Sequence, residues 1–424
     1  MIHKSRFDQI ISILAIIMQN SLSAKIMIPR VALFAETYTE VNGAANVLRK
    51  LTAYAQTHDY PMLCIYGGDE TFIEQKGSVT FIQLKRNKLS FSLDSELRYD
   101  PLLWRHKRMI GKELKKFKPD VLHVTGPNDV SQIGFWFGHW RKFPTVASWH
   151  TNAHEYGVRR MAGALSILPD KSRRKVEKTL ENLALTGLTQ LLFMAQIQLA
   201  PNEELVEMLK KKTKRPSYLM SRGVDTEFLS PAKRTRKNDV FTLGYVGRLR
   251  PEKNVRFLAE VDKELKKRNI KDYRFLIVGD GSEEDWLKEN LTNAEFTGVL
   301  KGEPLAEAYA NMDFFLFPSK TDAFGNVVLE AMAAGVPSVV LPDNGPRFLI
   351  RQNVNGYIAE DEQDFVRFAA DFTGNHPNLA EMQKAAREIA LEYSWDKVFE
   401  RIYEIYEIAK VTPKKVRATD KNYS

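Results

Sequence analysis

Asp322 and Glu330 stand eight positions apart in "SKTDAFGNVVLEAMAAGVPSVV" (319 to 340), the first on a glycine-bearing loop and the second inside the apolar helical pattern that follows. Two carboxylates at this spacing suggest a general acid and base, or two hydrogen-bond acceptors flanking an anion. The stretch between them suits the second. A helix starting here leaves the amides of Phe324, Gly325, Asn326 and Val327 without intrahelical acceptors, and those amides and the helix dipole favour an anionic group. Glu330, one turn further on, would accept from ribose hydroxyls, and Asp322 from a sugar beyond the phosphates. Taken singly, Glu330 also reads as a surface helix glutamate and Asp322 as a loop or capping residue.

Other loops carry chemistry of a compatible kind. In "YVGRLRPEKNV" (245 to 255) a strand gives way to a glycine turn holding Arg248 and Lys253, a guanidinium fork and a flexible ammonium suited to diphosphate oxygens. Solvated surface charge is the other reading of that pair. "VNGAANVLRK" (41 to 50) places Gly43 where backbone would approach a phosphate, but it lacks the GxGxxG spacing of dinucleotide sites. His150 follows the apolar run "VASW" and would project from a strand end, although a lone histidine is often structural. "VGDGSEED" (278 to 285) is a further glycine turn, expected to shape a wall and not to react. Cys64, the only cysteine, lies in "MLCIYG" as a buried inert thiol, so no disulfide framework exists within the chain.

The elements that must position these loops alternate between short apolar runs and amphipathic helical patterns, the signature of α/β folds with doubly wound parallel sheets. Strands are expected at 31 to 35, 62 to 66, 79 to 84, 121 to 124, 145 to 149 and 197 to 200, then at 241 to 247, 274 to 279, 313 to 317 and 337 to 341. Helices fit 44 to 57, 102 to 118 and 131 to 141, and an amphipathic one runs over 393 to 409. With 424 residues, two domains are expected. The proline-bearing basic stretch 230 to 239 reads as a linker between 29 to 229 and 240 to 392, with a basic, solvated tail over 410 to 424.

A formal charge of +9 suits an anionic partner: nucleic acid, anionic lipid or a phosphorylated small molecule. Residues 104 to 118 hold seven Lys or Arg against one Glu, and "KSRRKVEK" (171 to 178) adds more. A basic amphipathic face there suits anionic lipid, or simply solvates one side of a packed helix. No interleaved aromatic and basic groove supports nucleic acid as a partner. Residues 1 to 28 form an extension that reads as an upstream start, a membrane-touching segment or a secretory signal. No apolar run is long enough to span a bilayer.

"SRGVDTEFLSP", "YVGRLRPEKN", "VGDG", "FTGVLKGEPLAEAYANMDFFLFPS" and "TDAFGNVVLEAMAAGVP" follow one another in an order and spacing that resembles the retaining GT-B glycosyltransferases of family four, over residues 29 to 409. The chain is similar to glycolipid-forming members such as sulfoquinovosyl- and phosphatidylinositol mannosyltransferases. The resemblance implies two Rossmann-like domains facing a central cleft, with a C-terminal helix crossing back to the first. It implies transfer of a hexose from a UDP- or GDP-linked sugar to a membrane lipid or cell-envelope glycan, without metal or cofactor, in the cytoplasm or on the inner face of a membrane. Arg248 and Lys253 resemble the pair on the donor diphosphate, Glu330 the ribose-binding second acid of E-x7-E, and Asp322 the first acid, shortened from Glu. Phe324 to Val327 would supply amides, Gly43 would lie under the donor, His150 near the anomeric centre, and Gly298 and Leu300 around the base. A nucleotide-sugar epimerase of the same shape and a nucleic-acid binder are the competing readings.

Overall fold

Five consecutive apolar residues make β1 (Val31–Ala35), and all five are buried, as a strand covered on both faces requires. Its helix α1 (Gly43–Thr57) repeats apolar residues at three- and four-residue intervals and buries Val47, Leu48, Leu51, Tyr54 and Ala55. The computed structural model describes residues 28–40, 43–92, 98–149, 179, 186–187, 189–237, 240–320, 322, 324–342, 345–374 and 376–413. The expectations for residues 1 to 27, His150, the basic run 171 to 178 and the end of the tail lie outside the described residues.

The first sheet has eight strands in the order β10-β9-β8-β7-β1-β2-β4-β3. They are β1, β2 (Met62–Gly68), β3 (Phe72–Lys76), β4 (Val79–Lys85), β7 (Val121–Thr125), β8 (Thr145–Ser148), β9 (Ile197–Ala200) and β10 (Ser217–Leu219). β1 pairs in parallel with both β2 and β7. β5 (Phe91–Ser92) and β6 (Arg98–Tyr99) form a separate two-residue ladder. The single helix expected over 102 to 118 is a 3₁₀ turn at Leu103–His106 leading into α2 (Lys107–Phe117). The buried Asp100 carboxylate holds the start of that turn by accepting the Leu102 amide at 2.8 Å. α3 (Asp129–Trp140) opens on Asn128, whose side chain caps the Ser131 amide.

The second sheet is parallel throughout, in the order β13-β12-β11-β14-β15-β16. Its strands are β11 (Phe241–Val246), β12 (Tyr273–Val278), β13 (Ala294–Gly298), β14 (Phe314–Phe317), β15 (Ser338–Val340) and β16 (Gly356–Ile358). Two apolar clusters cover its two faces, one around Phe315, Met332 and Tyr309, the other around Tyr245, Phe275 and Phe314.

The residues group into two units, one taking the chain up to Gln198 with Thr213–Pro216 and everything from Tyr403, the other Leu199–Lys212 and Ser217–Ile402. The last helix, Trp395–Val411, is shared: its residues to Ile402 group with the second unit and the rest with the first. The basic stretch after residue 230 is held by Asp313, which accepts from both Arg234 and Arg236 at 2.7 Å. No helix among the described residues is long and apolar enough to cross a membrane.

Candidate functional site

From β11 the chain first builds outward through β12 and β13, then returns to start β14 on β11's other side. The strand order reverses between β11 and β14, and ligands of open α/β sheets bind outside the carboxyl ends of the strands at such a reversal. The loops leaving those two strands are the ones that carry Arg248, Lys253 and Asp322.

The loop after β11 is held by backbone. Gly247 has φ +153°, its amide donates to Val278 O at 2.9 Å, and Leu249 N donates to Asp280 O at 2.7 Å. Gly279, at φ +136°, lies so close that a Cβ there would stand 1.9 Å from Gly247 O. The turn "VGDG" therefore clamps the Arg248 loop from below. Gly279→Ala is expected to lower stability by about 2–4 kcal/mol, through backbone strain and displacement of a carbonyl with nowhere to go; a melting curve checks it.

Pro251–Lys253 then make a 3₁₀ turn that Asn254 ends at φ +55°, and the Asn254 amide side chain donates to Pro318 O at 3.3 Å, tying this loop to the one after β14. Lys253 Nζ reaches both carboxylate oxygens of Asp322, at 2.8 and 2.7 Å, and Ser319 Oγ donates to Asp322 Oδ2 at 2.6 Å. Arg248 is exposed, its nearest acid being Glu252 at 3.6 Å.

The helix after the second loop, α8 (Asn326–Ala333), begins at Gly325 in the left-handed region, φ +82°, with Pro346 packed where a Cβ would be. Gly325 O accepts the amides of Val328 and Leu329. The amides of Phe324, Gly325, Asn326 and Val327 have no acceptor among the described residues, which leaves a row of donors at the positive end of the helix. Glu330 receives the Tyr309 hydroxyl on Oε2 at 2.7 Å. Burial pushes the Glu330 carboxyl above its ordinary value against the pull of that hydrogen bond. Burial, and then the neighbouring Glu330 carboxylate, raise the tyrosine hydroxyl as well, so it stays a donor.

The structure thus brings Lys253, Asp322, Phe324 to Val327 and Glu330 to the loops on either side of one strand reversal, with Arg248 on the same loop as Lys253. Gly298, at φ +67°, ends β13 and its carbonyl accepts the Gly279 amide at 2.8 Å, while Leu300 packs half-buried against the core under α8. Gly43 is the first residue of α1 in the other unit. Cys64 is fully buried, and burial pushes its thiol up, as expected of an inert one. Sequence reasoning missed Tyr309 and Ser319. Ser319 stands only three residues before Asp322 and was open to an ST-type reading; Tyr309 lies 21 residues before Glu330, a separation that carries no signal.

Each half of the chain matches a family model: residues 41–228 that described as Glycosyltransferase Family 4, and residues 240–374 that described as Glycosyl transferases group 1. The chain is 27% identical over 389 residues to a GDP-mannose-dependent alpha-mannosyltransferase of Corynebacterium glutamicum, covering 89% of this chain and 88% of that one. It is 23% identical over 292 residues to an alpha-monoglucosyldiacylglycerol synthase of Acholeplasma laidlawii, covering 66% of this chain and 73% of that one. Among solved structures it is similar in fold to a glycosyltransferase from Rickettsia africae, with a TM-score of 0.65 at 15% identity over 91% of this chain and 100% of that one. With two Rossmann-like sheets, the order of its loops and a match in both halves, the chain belongs to the group 1, family 4 glycosyltransferases of GT-B fold.

Proposed function

We propose that the protein moves a hexose from a nucleoside diphosphate sugar, with retention of configuration and without a metal ion, to a hydroxyl of a membrane lipid or cell-envelope glycan. The observation that carries this is the Lys253–Asp322 ion pair on the loop that runs into α8, where the amides of Phe324 to Val327 have no acceptor among the described residues. A diphosphate fits between those amides and the cations of the β11 loop, with Lys253 and Arg248 neutralising charge as the sugar–phosphate bond breaks. Glu330, oriented by Tyr309, suits a ribose diol, and Asp322 a sugar hydroxyl. Among the described residues no side chain stands out as a nucleophile. The acceptor oxygen would therefore bond to the anomeric carbon on the face the phosphate leaves, its proton passing to the departing phosphate oxygen.

The relative that uses GDP-mannose makes that donor the first to try. A thermal-shift panel of GDP-, UDP- and ADP-sugars, followed by product analysis with lipid acceptors and NMR of the product anomer, tests the reading. An inverted anomer would remove retention. Epimerised sugar released without an acceptor would replace transfer by epimerisation.

The glycolipid acceptor has support from the first unit as well. α2 buries Ile110, Gly111 and Leu114 and turns Arg108, Lys112, Lys115 and Lys116 to solvent. Lys107 sits 4.0 Å from the centre of the Trp136 ring, and Trp140 beside it is 67% exposed. Cations beside one exposed and one half-buried indole suit the headgroup level of an anionic bilayer. Binding to phosphatidylglycerol vesicles in co-sedimentation is expected to fall at least tenfold between 50 and 500 mM salt; salt-independent binding, or none, would argue against a lipid surface.

A further inference from the structure

The first sheet also has a strand reversal, between β1 and β7, and three polar side chains near it are left partly unsatisfied. Four buried side-chain atoms without a hydrogen-bond partner among the described residues belong to three residues of this corner: Glu36 Oε1, Thr37 Oγ1, and Nε and Nη2 of Arg86. Glu36 and Thr37 follow β1, and Arg86 follows β4; their exposures are 4%, 6% and 9%. Buried polar atoms are nearly always paired, so several orphans in one place call for something to complete them.

The corner is built to hold Glu36 still. Its amide donates to Thr125 Oγ1 at 2.8 Å and its carbonyl accepts from Asn128 Nδ2 at 2.7 Å. Its carboxyl lies over Gly126, where φ is +74° and a Cβ would stand 1.7 Å from Glu36 Oε2. Gly67 makes the matching room for Arg86, whose guanidinium would be 2.7 Å from a Cβ there. Two backbone positions stripped of side chains, both at strand ends, thus admit two polar groups that the fold does not satisfy.

The charges say what kind of ligand fits. Arg86 already faces two acids, Glu40 at 3.7 Å and Asp129 at 3.5 Å, both too long for good hydrogen bonds yet close enough to cancel its charge. Burial, followed by Asp129, raises the Glu36 carboxyl to about 8, so it holds a proton at neutral pH. No uncompensated positive charge remains to attract a phosphate. What remains is an orphan carboxyl oxygen, a hydroxyl and two guanidinium donors, and hydroxyl groups, each donor and acceptor at once, complete such a mixed set.

We propose that Glu36, Thr37 and Arg86 form a recognition subsite for a neutral polyhydroxylated group, the hydroxyl-bearing head of the acceptor. Its meaning as an acceptor site rests on the transferase reading, but the binding it predicts does not. Saturation-transfer NMR on the full chain, with myo-inositol and methyl α-D-mannopyranoside as neutral probes and glycerol 3-phosphate as the charged one, tests it. Signal on at least one neutral probe is expected, falling at least fivefold in Glu36→Leu and in Thr37→Val, while GDP and UDP affinities stay within twofold. Absence of signal on both neutral probes, equal signal in the variants, or stronger signal on glycerol 3-phosphate would overturn the subsite. Failure of nucleotide sugars to bind the wild type would instead remove the transferase reading and leave this result standing.

Discussion

Lys253→Ala is expected to lower kcat/KM for sugar transfer about 10³-fold, which corresponds to roughly 4 kcal/mol of lost transition-state stabilisation. The same variant should melt within a degree or two of the wild type. The contrast follows from where the ammonium sits. Its partner Asp322 is about a quarter exposed and keeps the Ser319 hydroxyl when Lys253 is gone, so the ion pair adds on the order of 1 kcal/mol or less to folding. On the proposed reading the departing diphosphate would keep only Arg248 as a cation beside the α8 amides, and that guanidinium is exposed and screened by solvent. Lys253→Arg should recover part of the loss, because charge is restored while reach and geometry are not. Activity of the Ala variant within tenfold of wild type would show that the ammonium does not serve the leaving group. Asp322→Asn offers the complementary result: freed from its acid, Lys253 should bind GDP several-fold more tightly while transfer slows.

The second large effect concerns stability, and its sign is opposite to that of most substitutions in a buried site. The folded chain holds the Glu36 proton up to a pH of about 8, while the unfolded chain releases it near the ordinary 4.5. Between those values the folded state binds the extra proton, so stability is full below about pH 4.5 and declines by about 1.4 kcal/mol per pH unit until about pH 8. Burial is the first cause of this behaviour, and the groups facing Glu36 adjust it: Asp129 from α3 and Glu40 on its own loop raise it, while Asn128 and Arg86 oppose. Glu36→Gln removes the titration without changing the shape. The variant should melt with the wild type at pH 5 and above it at pH 8, by a margin equivalent to a few kcal/mol. Calorimetry at the two pH values checks it, and a variant less stable at both would refute the buried-acid description. A residue whose neutral analogue is more stable is retained for something other than folding.

The parts of the protein that rest on local patterning were readable in the chain. Apolar runs such as "VALFA" and "FTLGYV" are buried at every residue, and their shortness and β-branched or aromatic content suit strands covered on both faces. β3, by contrast, is nearly all exposed at a sheet edge, and "FIEQK" offers no apolar run to find. The donors at the start of α8 were readable too, since Gly325 before an apolar helical pattern marks the place.

The sequence by itself determined which loops carry charge and which helix begins with free amides, because turn residues and apolar periodicity act within a few positions of themselves. The tertiary structure alone decided who meets whom. It set Lys253 on Asp322 across 69 residues, Tyr309 on Glu330, and Glu36 over Gly126 beside an undersatisfied Arg86. Those meetings depend on strand order, and parallel strands join residues whose separation along the chain is set by the length of the crossovers between them, which no spacing in the sequence records.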